Sequence, residues 1–196
     1  MKLKRTTLGL IASALILGGF VYFYDIQGTK TRTEVQAKEK QLFKFEENEV
    51  QSFTVQLKDE TLAFERDENS KWQMKQPQEI PANEAVVAFL LDLLAKGQAN
   101  NTFIIPANQR QDYGLDTPLA TIKVNLKTGQ KHELNLGKQN FDGKSIYAEI
   151  DPSNSSENVE LVLVPVDFQY AVERELVEWI ELEESSESDT STDGNK

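Results

Sequence analysis

An N-terminal transmembrane helix followed by an α+β domain, with a mostly antiparallel sheet built of two similar ββββα halves, is the fold class the sequence predicts. Three observations predict it. Residues 8–24 carry no charge, residues from Leu42 onward alternate apolar with polar, and one stretch in each half switches to helical spacing.

The run Leu8 to Tyr24 follows Lys2, Lys4 and Arg5 and is closed by Asp25. As a helix its seventeen residues span about 26 Å, near the lower limit for crossing a bilayer. Leu8, Leu10, Ile11, Leu15, Ile16, Leu17, Phe20, Val21 and Phe23 would meet the acyl chains, and Tyr22 and Tyr24 the far headgroup layer. A cleaved signal peptide fits less well. Cutting at Ala12-Ser13-Ala14 leaves only Leu8 to Ile11 as its apolar region, and cutting after Gly19 puts Leu17 where a small residue is needed. The run is apolar on all sides, unlike a helix with one buried face. The basic residues nearest the membrane favour a cytoplasmic N-terminus (residues 1–7), although Lys30, Arg32, Lys38 and Lys40 follow the span. The expected arrangement is a single-pass protein of the cell membrane. Its C-terminal domain would lie on the outer side, periplasmic, lumenal or extracellular.

Of the 196 residues, 27% are charged and 39% hydrophobic, so the part beyond the anchor reads as one globular domain. The formal charge of −11, with no basic stripe, argues against nucleic acid as a partner. The chain has no cysteine, which excludes a disulfide framework, a thiol nucleophile, a thiolate metal site and a lipid-modified N-terminal cysteine.

Residues 25–41 are polar and mixed in charge and read as a stalk. From Leu42 the period is two: Phe43 and Phe45, then Phe53, Val55 and Leu57, then Leu62 and Phe64, then Trp72 and Met74. Four short strands in an antiparallel meander follow from this. Pro77 and Pro81 stop the pattern, and Asn83 caps a helix over 84–96 with Gly97 as its stop. Residues 42–97 thus form the first half. In the second, 98–182, a strand is expected within 99–105 and a loop or helical turn over 106–111. Tyr113-Gly114-Leu115-Asp116 is a turn, with Gly114 at a positive φ and Leu115 pinning the corner. Strands then follow around Ile122 to Leu126, Leu134 to Leu136, Ile146 to Ile150 and Val159 to Val164. A final helix carries Phe168, Val172, Leu176, Trp179 and Ile180 on one face. Val55-Gln56-Leu57-Lys58 and Val124-Asn125-Leu126-Lys127 occupy matching places, which suggests an internal duplication. The tail 183–196 is acidic and rich in Ser and Thr, the composition of a disordered segment.

No motif in the domain carries chemistry. His132 is the lone histidine and shares strand parity with Leu134 and Leu136, so a satisfied residue at the sheet edge is expected. It leaves any zinc site to carboxylates. Residues 151–162 superficially resemble a calcium loop but lack its sixth-position glycine and place Val162 where a bidentate Glu is needed. Asp116 has Asp112 as its one acidic neighbour in sequence, too few to complete a metal site. No cofactor is expected.

Trp72-x-Met-x-x-Pro77, Pro81-Ala-Asn-Glu-Ala-Val-Val, Tyr113-Gly-Leu-Asp-x-Pro118, Gly137, Ser145-Ile-Tyr-Ala148 and Val162-Leu-Val-Pro165, together with the N-terminal anchor, resemble the bacterial family called domain of unknown function 4340. The resemblance covers about residues 42–180. It implies a membrane-tethered, β-rich repeat domain, often encoded beside gliding-motility-type ABC transport components, and carries no catalytic residues. The resulting expectation is a non-catalytic accessory or scaffold for a membrane protein complex in transport or assembly. Its partners would be the bilayer, through the anchor, and integral membrane proteins. Val86, Phe89, Leu90, Leu93 and Trp179 are the candidate interaction surface. A module binding lipid or envelope polymer is the alternative, and a hydrolase a distant third.

Overall fold

The computed structural model describes residues 41–153 and 157–181. A compact unit begins at Leu42. The run 8–24, the stalk up to residue 40 and the tail 183–196 lie outside the described residues. Among the described residues, no helix is long and apolar enough to cross a membrane.

The elements in chain order are β1 (Val50–Gln56), β2 (Thr61–Arg66), β3 (Trp72–Gln76), β4 (Ile80–Pro81), α1 (Glu84–Lys96), β5 (Thr102–Pro106), β6 (Ala120–Leu126), β7 (Lys131–Gln139), β8 (Ser145–Ile150), β9 (Asn158–Pro165) and α2 (Asp167–Val172). Short 3-10 turns occupy Glu47–Glu49, Ala107–Tyr113 and Leu176–Trp179. The nine strands form one sheet in the order β4-β3-β2-β1-β6-β7-β8-β9-β5, with antiparallel neighbours throughout. The fold is therefore α+β and strand-rich.

The period-two residues share one face, and the register stacks them across strands: Phe53 lies opposite Phe64 on β2 and Val124 on β6. The Phe53 and Phe64 rings stack at 4.7 Å, with Trp72 edge-on to Phe53 at 5.2 Å. On this face α1 buries Val87, Leu90, Leu91 and Leu94, and α2 buries Phe168, Ala171 and Val172, all in one core. Asn83 starts α1 by accepting the Ala85 and Val86 amides on its side-chain oxygen at 3.1 and 3.4 Å. The Glu84 carboxylate accepts the Trp72 amide at 3.0 Å, tying the first turn to β3. Gly97 ends the helix at φ −57, outside the left-handed region. A Cβ there would lie 2.1 Å from the Leu93 carbonyl oxygen, so the glycine serves close approach. Gly114 takes the expected positive φ, 75.

On the opposite face, Ile105, Leu115, Val159 and Leu161 form a smaller cluster packed with Tyr113, Tyr147 and Ala107. Gly137 lets the 107–113 turn close onto β7, since a Cβ there would sit 2.2 Å from the Tyr113 carbonyl oxygen.

Four expectations need correction. Residues 42–45 are no strand: their alternation comes from Phe43 and Phe45 packing around His132, at 4.9 and 5.7 Å, with no ladder. The fourth strand of the first meander is instead Ile80–Pro81, pairing with Met74 and Gln73. The final helix stops at Val172, and a separate turn, Leu176–Trp179, redirects the chain so that Trp179 lies 5.1 Å from Phe64 and Ile180 bridges Ala82. His132 is not at the sheet's edge, because β7 lies between β6 and β8.

Candidate interaction surfaces

The five residues proposed on the helix face separate by depth. Leu90 and Trp179 are 0% exposed, which removes them from any surface. Leu90 belongs to the inward row of α1, and Trp179 is carried under Phe64 by the turn that replaces the helix. Val86 and Leu93 flank that row and are half-buried against the core. Phe89 is 39% exposed. Its ring lies 5.6 Å from the Arg174 guanidinium, which donates to Glu178 at 2.9 Å. Glu84, Asp92 and Lys96 are the polar residues of 84–96, a spacing that marks the outer side of the helix but does not separate inward from flanking positions, because both are apolar.

The exposed backbone lies elsewhere. Among the described residues, β5 is the last strand of the sheet and pairs only with β9, with Phe103 opposite Leu161 and Ile104 opposite Glu160. Leu163 donates to the Asn101 carbonyl at 3.0 Å and Ala107 to the Glu157 carbonyl at 2.9 Å. Odd-numbered β5 residues therefore bond to β9, and those of Thr102 and Ile104 point outward. Pro106, also outward, has no N–H. Ile104 is 75% and Phe103 42% exposed. Thr-Phe-Ile-Ile signals a strand by its β-branched and aromatic content, but nothing in it says that the strand crosses to the far edge.

The polar groups form local pairs. His132 Nδ1 lies 2.9 Å from an Asp151 carboxylate oxygen and Nε2 2.9 Å from the Gln130 amide nitrogen. The other Asp151 oxygen accepts the Glu133 amide at 2.8 Å. Arg110, in the 107–113 turn, pairs with Glu149 of β8, whose side chain is 6% exposed, and so fastens the turn to the sheet. The shifted pKa values belong to surface pairs. Lys75 and Glu79 are moved up and down respectively by their mutual hydrogen bond, and Lys96 is moved up by its bond to Asp92. Among the described residues, no three His, Asp or Glu side chains are grouped to hold a metal ion.

The nine strands form a curtain covered by helices on one face and by a turn at one end of the other. No curated protein and no solved structure matches the chain. The sequence profile described as "Domain of unknown function (DUF4340)" matches residues 72–183, more than half of the chain. The match starts at Trp72, the first residue of β3. β1 and β2 lie outside it yet sit within the same sheet, next to matched strands. With its nine-stranded sheet and this match, the chain belongs to the domain of unknown function 4340 family.

Proposed function

We propose that the chain is a membrane-tethered accessory module of a membrane protein complex, serving transport or assembly, and that it acts by docking rather than by catalysis. The outer edge of β5, unpaired among the described residues, carries this reading. Proteins commonly blunt an exposed edge with charge, proline or a covering element. β5 has Pro106 alone, and offers the outward N–H and C=O groups of Thr102 and Ile104 beside exposed Phe103 and Ile104 side chains. An extended segment of a partner can add there as a further strand, its backbone bonds giving affinity and the two side chains giving specificity. The run 8–24 would hold this edge near the membrane proteins it meets, with the N-terminus cytoplasmic and the domain on the outer side. The experiment is photo-crosslinking in native membranes from a reactive residue at Ile104, with Lys123 on the sheet's open face as control. One integral membrane protein joined from Ile104 alone, and lost on Thr102→Pro, is the expected result. Equal products from both positions, or none from Ile104, would refute the proposal.

The finer reading of the fold, a duplicated ββββα unit, is also proposed. β1 and β6 pair antiparallel at the centre, and each leads outward through its own meander. Leu57 donates to the Glu60 carbonyl at 2.8 Å in the first hairpin, and Leu126 to the Gln130 carbonyl at 2.8 Å in the second, which is one residue longer. The segments after the helices are exchanged: β5 follows α1 and pairs with β9, while Ile180 follows α2 and bridges Ala82 beside β4. These correspondences support duplication with reciprocal crossing. Failure of residues 50–96 to superpose on 120–172 in an experimental structure would overturn it.

A further inference from the structure

The β7–β8 hairpin ends in Asn140-Phe141-Asp142-Gly143-Lys144, and Phe141 is 98% exposed. A closed turn holds it there. The Asn140 amide donates to the Ser145 carbonyl at 2.9 Å, the Asn140 carbonyl accepts from Gly143 at 3.1 Å, and the Asp142 carboxylate accepts the Lys144 amide at 2.8 Å. Gly143 supplies the positive φ of 68. The ring is thus presented by a turn with satisfied bonds. Lys138 and Lys144 flank it, both exposed, and neither is in an ion pair among the described residues. The hairpin also touches α2: Gln139 donates to the Gln169 side chain at 2.7 Å and Val166 to the Lys144 carbonyl at 3.1 Å. Tyr170, the residue after Gln169, is 62% exposed.

We infer that this hairpin is a second point of contact with a lipid surface. Phe141 enters the boundary between headgroups and acyl chains, Lys138 and Lys144 meet anionic headgroups, and Tyr170 lies at headgroup level. Charge complementarity selects this occupant: Lys138 and Lys144, in no ion pair among the described residues, bracket the ring against the one carboxylate of the turn, Asp142, in a chain of net charge −11. The inference rests on the reading of residues 8–24 as an anchor. One aromatic and two lysines bind weakly alone, and a tether supplies the local concentration that makes weak contact sufficient.

The test uses the full chain carrying Phe141→Trp in vesicles of phosphatidylcholine and phosphatidylglycerol, with and without lipids brominated on their acyl chains. Trp72 and Trp179 are buried, at 1% and 0% exposure, so the unsubstituted chain provides the spectrum to subtract. The expected result is blue-shifted emission from the introduced indole, quenched by brominated lipid. Lys138→Glu or Lys144→Glu should each weaken the contact about fivefold or more. Emission that brominated lipid leaves unquenched overturns the inference, whether the indole is hydrated or blue-shifted by burial against protein. Flotation separates the two readings. A chain that floats with the vesicles but is unquenched loses only the hairpin contact, and one that does not float loses the anchor and the contact together.

Discussion

Replacing Trp179 by alanine tests whether this residue is core or surface. Its side chain is 0% exposed and packs at 5.1 Å on Phe64. An indole withdraws about 200 Å² from water, about 5 kcal/mol at 25 cal/mol per Å². A compact unfolded chain lowers this, and core Trp→Ala changes cost about 3–5 kcal/mol. With a slope of about 2 kcal/mol per molar urea, the unfolding midpoint should fall by about 2 M. Far-UV circular dichroism of the full chain in mild detergent reads this directly. Among the described residues the buried indole N–H has no hydrogen-bond partner, so Trp179→Phe sheds an unsatisfied donor and should cost less than about 2 kcal/mol. A Trp179→Ala loss within about 0.5 kcal/mol, the range of an exposed position, would refute the packing described and return Trp179 to the surface.

Further outcomes follow from other contacts. Asn83→Ala removes the acceptor for two amides and should lower stability by about 1 kcal/mol in the same urea assay. Gly137→Ala forces a Cβ to within 2.2 Å of the Tyr113 carbonyl oxygen, lifting the 107–113 turn, which faster tryptic cleavage after Arg110 would report while the global midpoint falls by less. Glu149→Gln leaves the Arg110 guanidinium without its counter-charge and should cost about 1–3 kcal/mol, discounted for the partial exposure of Arg110. Replacing both residues together, by Arg110→Met and Glu149→Leu, should cost less than Glu149→Gln alone.

Helix α1 was legible because several local signals agreed: Asn83 as cap, Glu84 in the first turn, an apolar run broken only by Asp92 up to Ala95, and Gly97. Alternation at Phe53-Val55 and Ile122-Val124-Leu126 likewise identified strands with one buried face, since a ladder and a core impose the same period. That same period misled at Phe43 and Phe45, where two rings clasp His132 without a ladder. Spacing of four from Phe168 to Leu176 fits a helix, yet the chain must reach Ala82, and that long-range bond has no local sequence signal. The crossing of β5 to the far edge was illegible for the same reason, so the exposed backbone of Thr102 and Ile104 came from topology alone. Of the five helix-face residues, Phe89 alone is exposed, at 39%. The anchor residues 8–24 lie outside the described residues and rest on sequence alone.

Amide exchange at β5 tests the docking proposal most directly. Thr102 and Ile104 point their N–H groups outward, whereas Phe103 and Ile105 bond to β9. In the purified chain the first two should exchange fast and the second two slowly. In native membranes, with the partner present, Thr102 and Ile104 should gain protection selectively, with Phe103 and Ile105 unchanged. Equal exchange at Thr102 and Ile104 in the two settings would contradict docking at this edge.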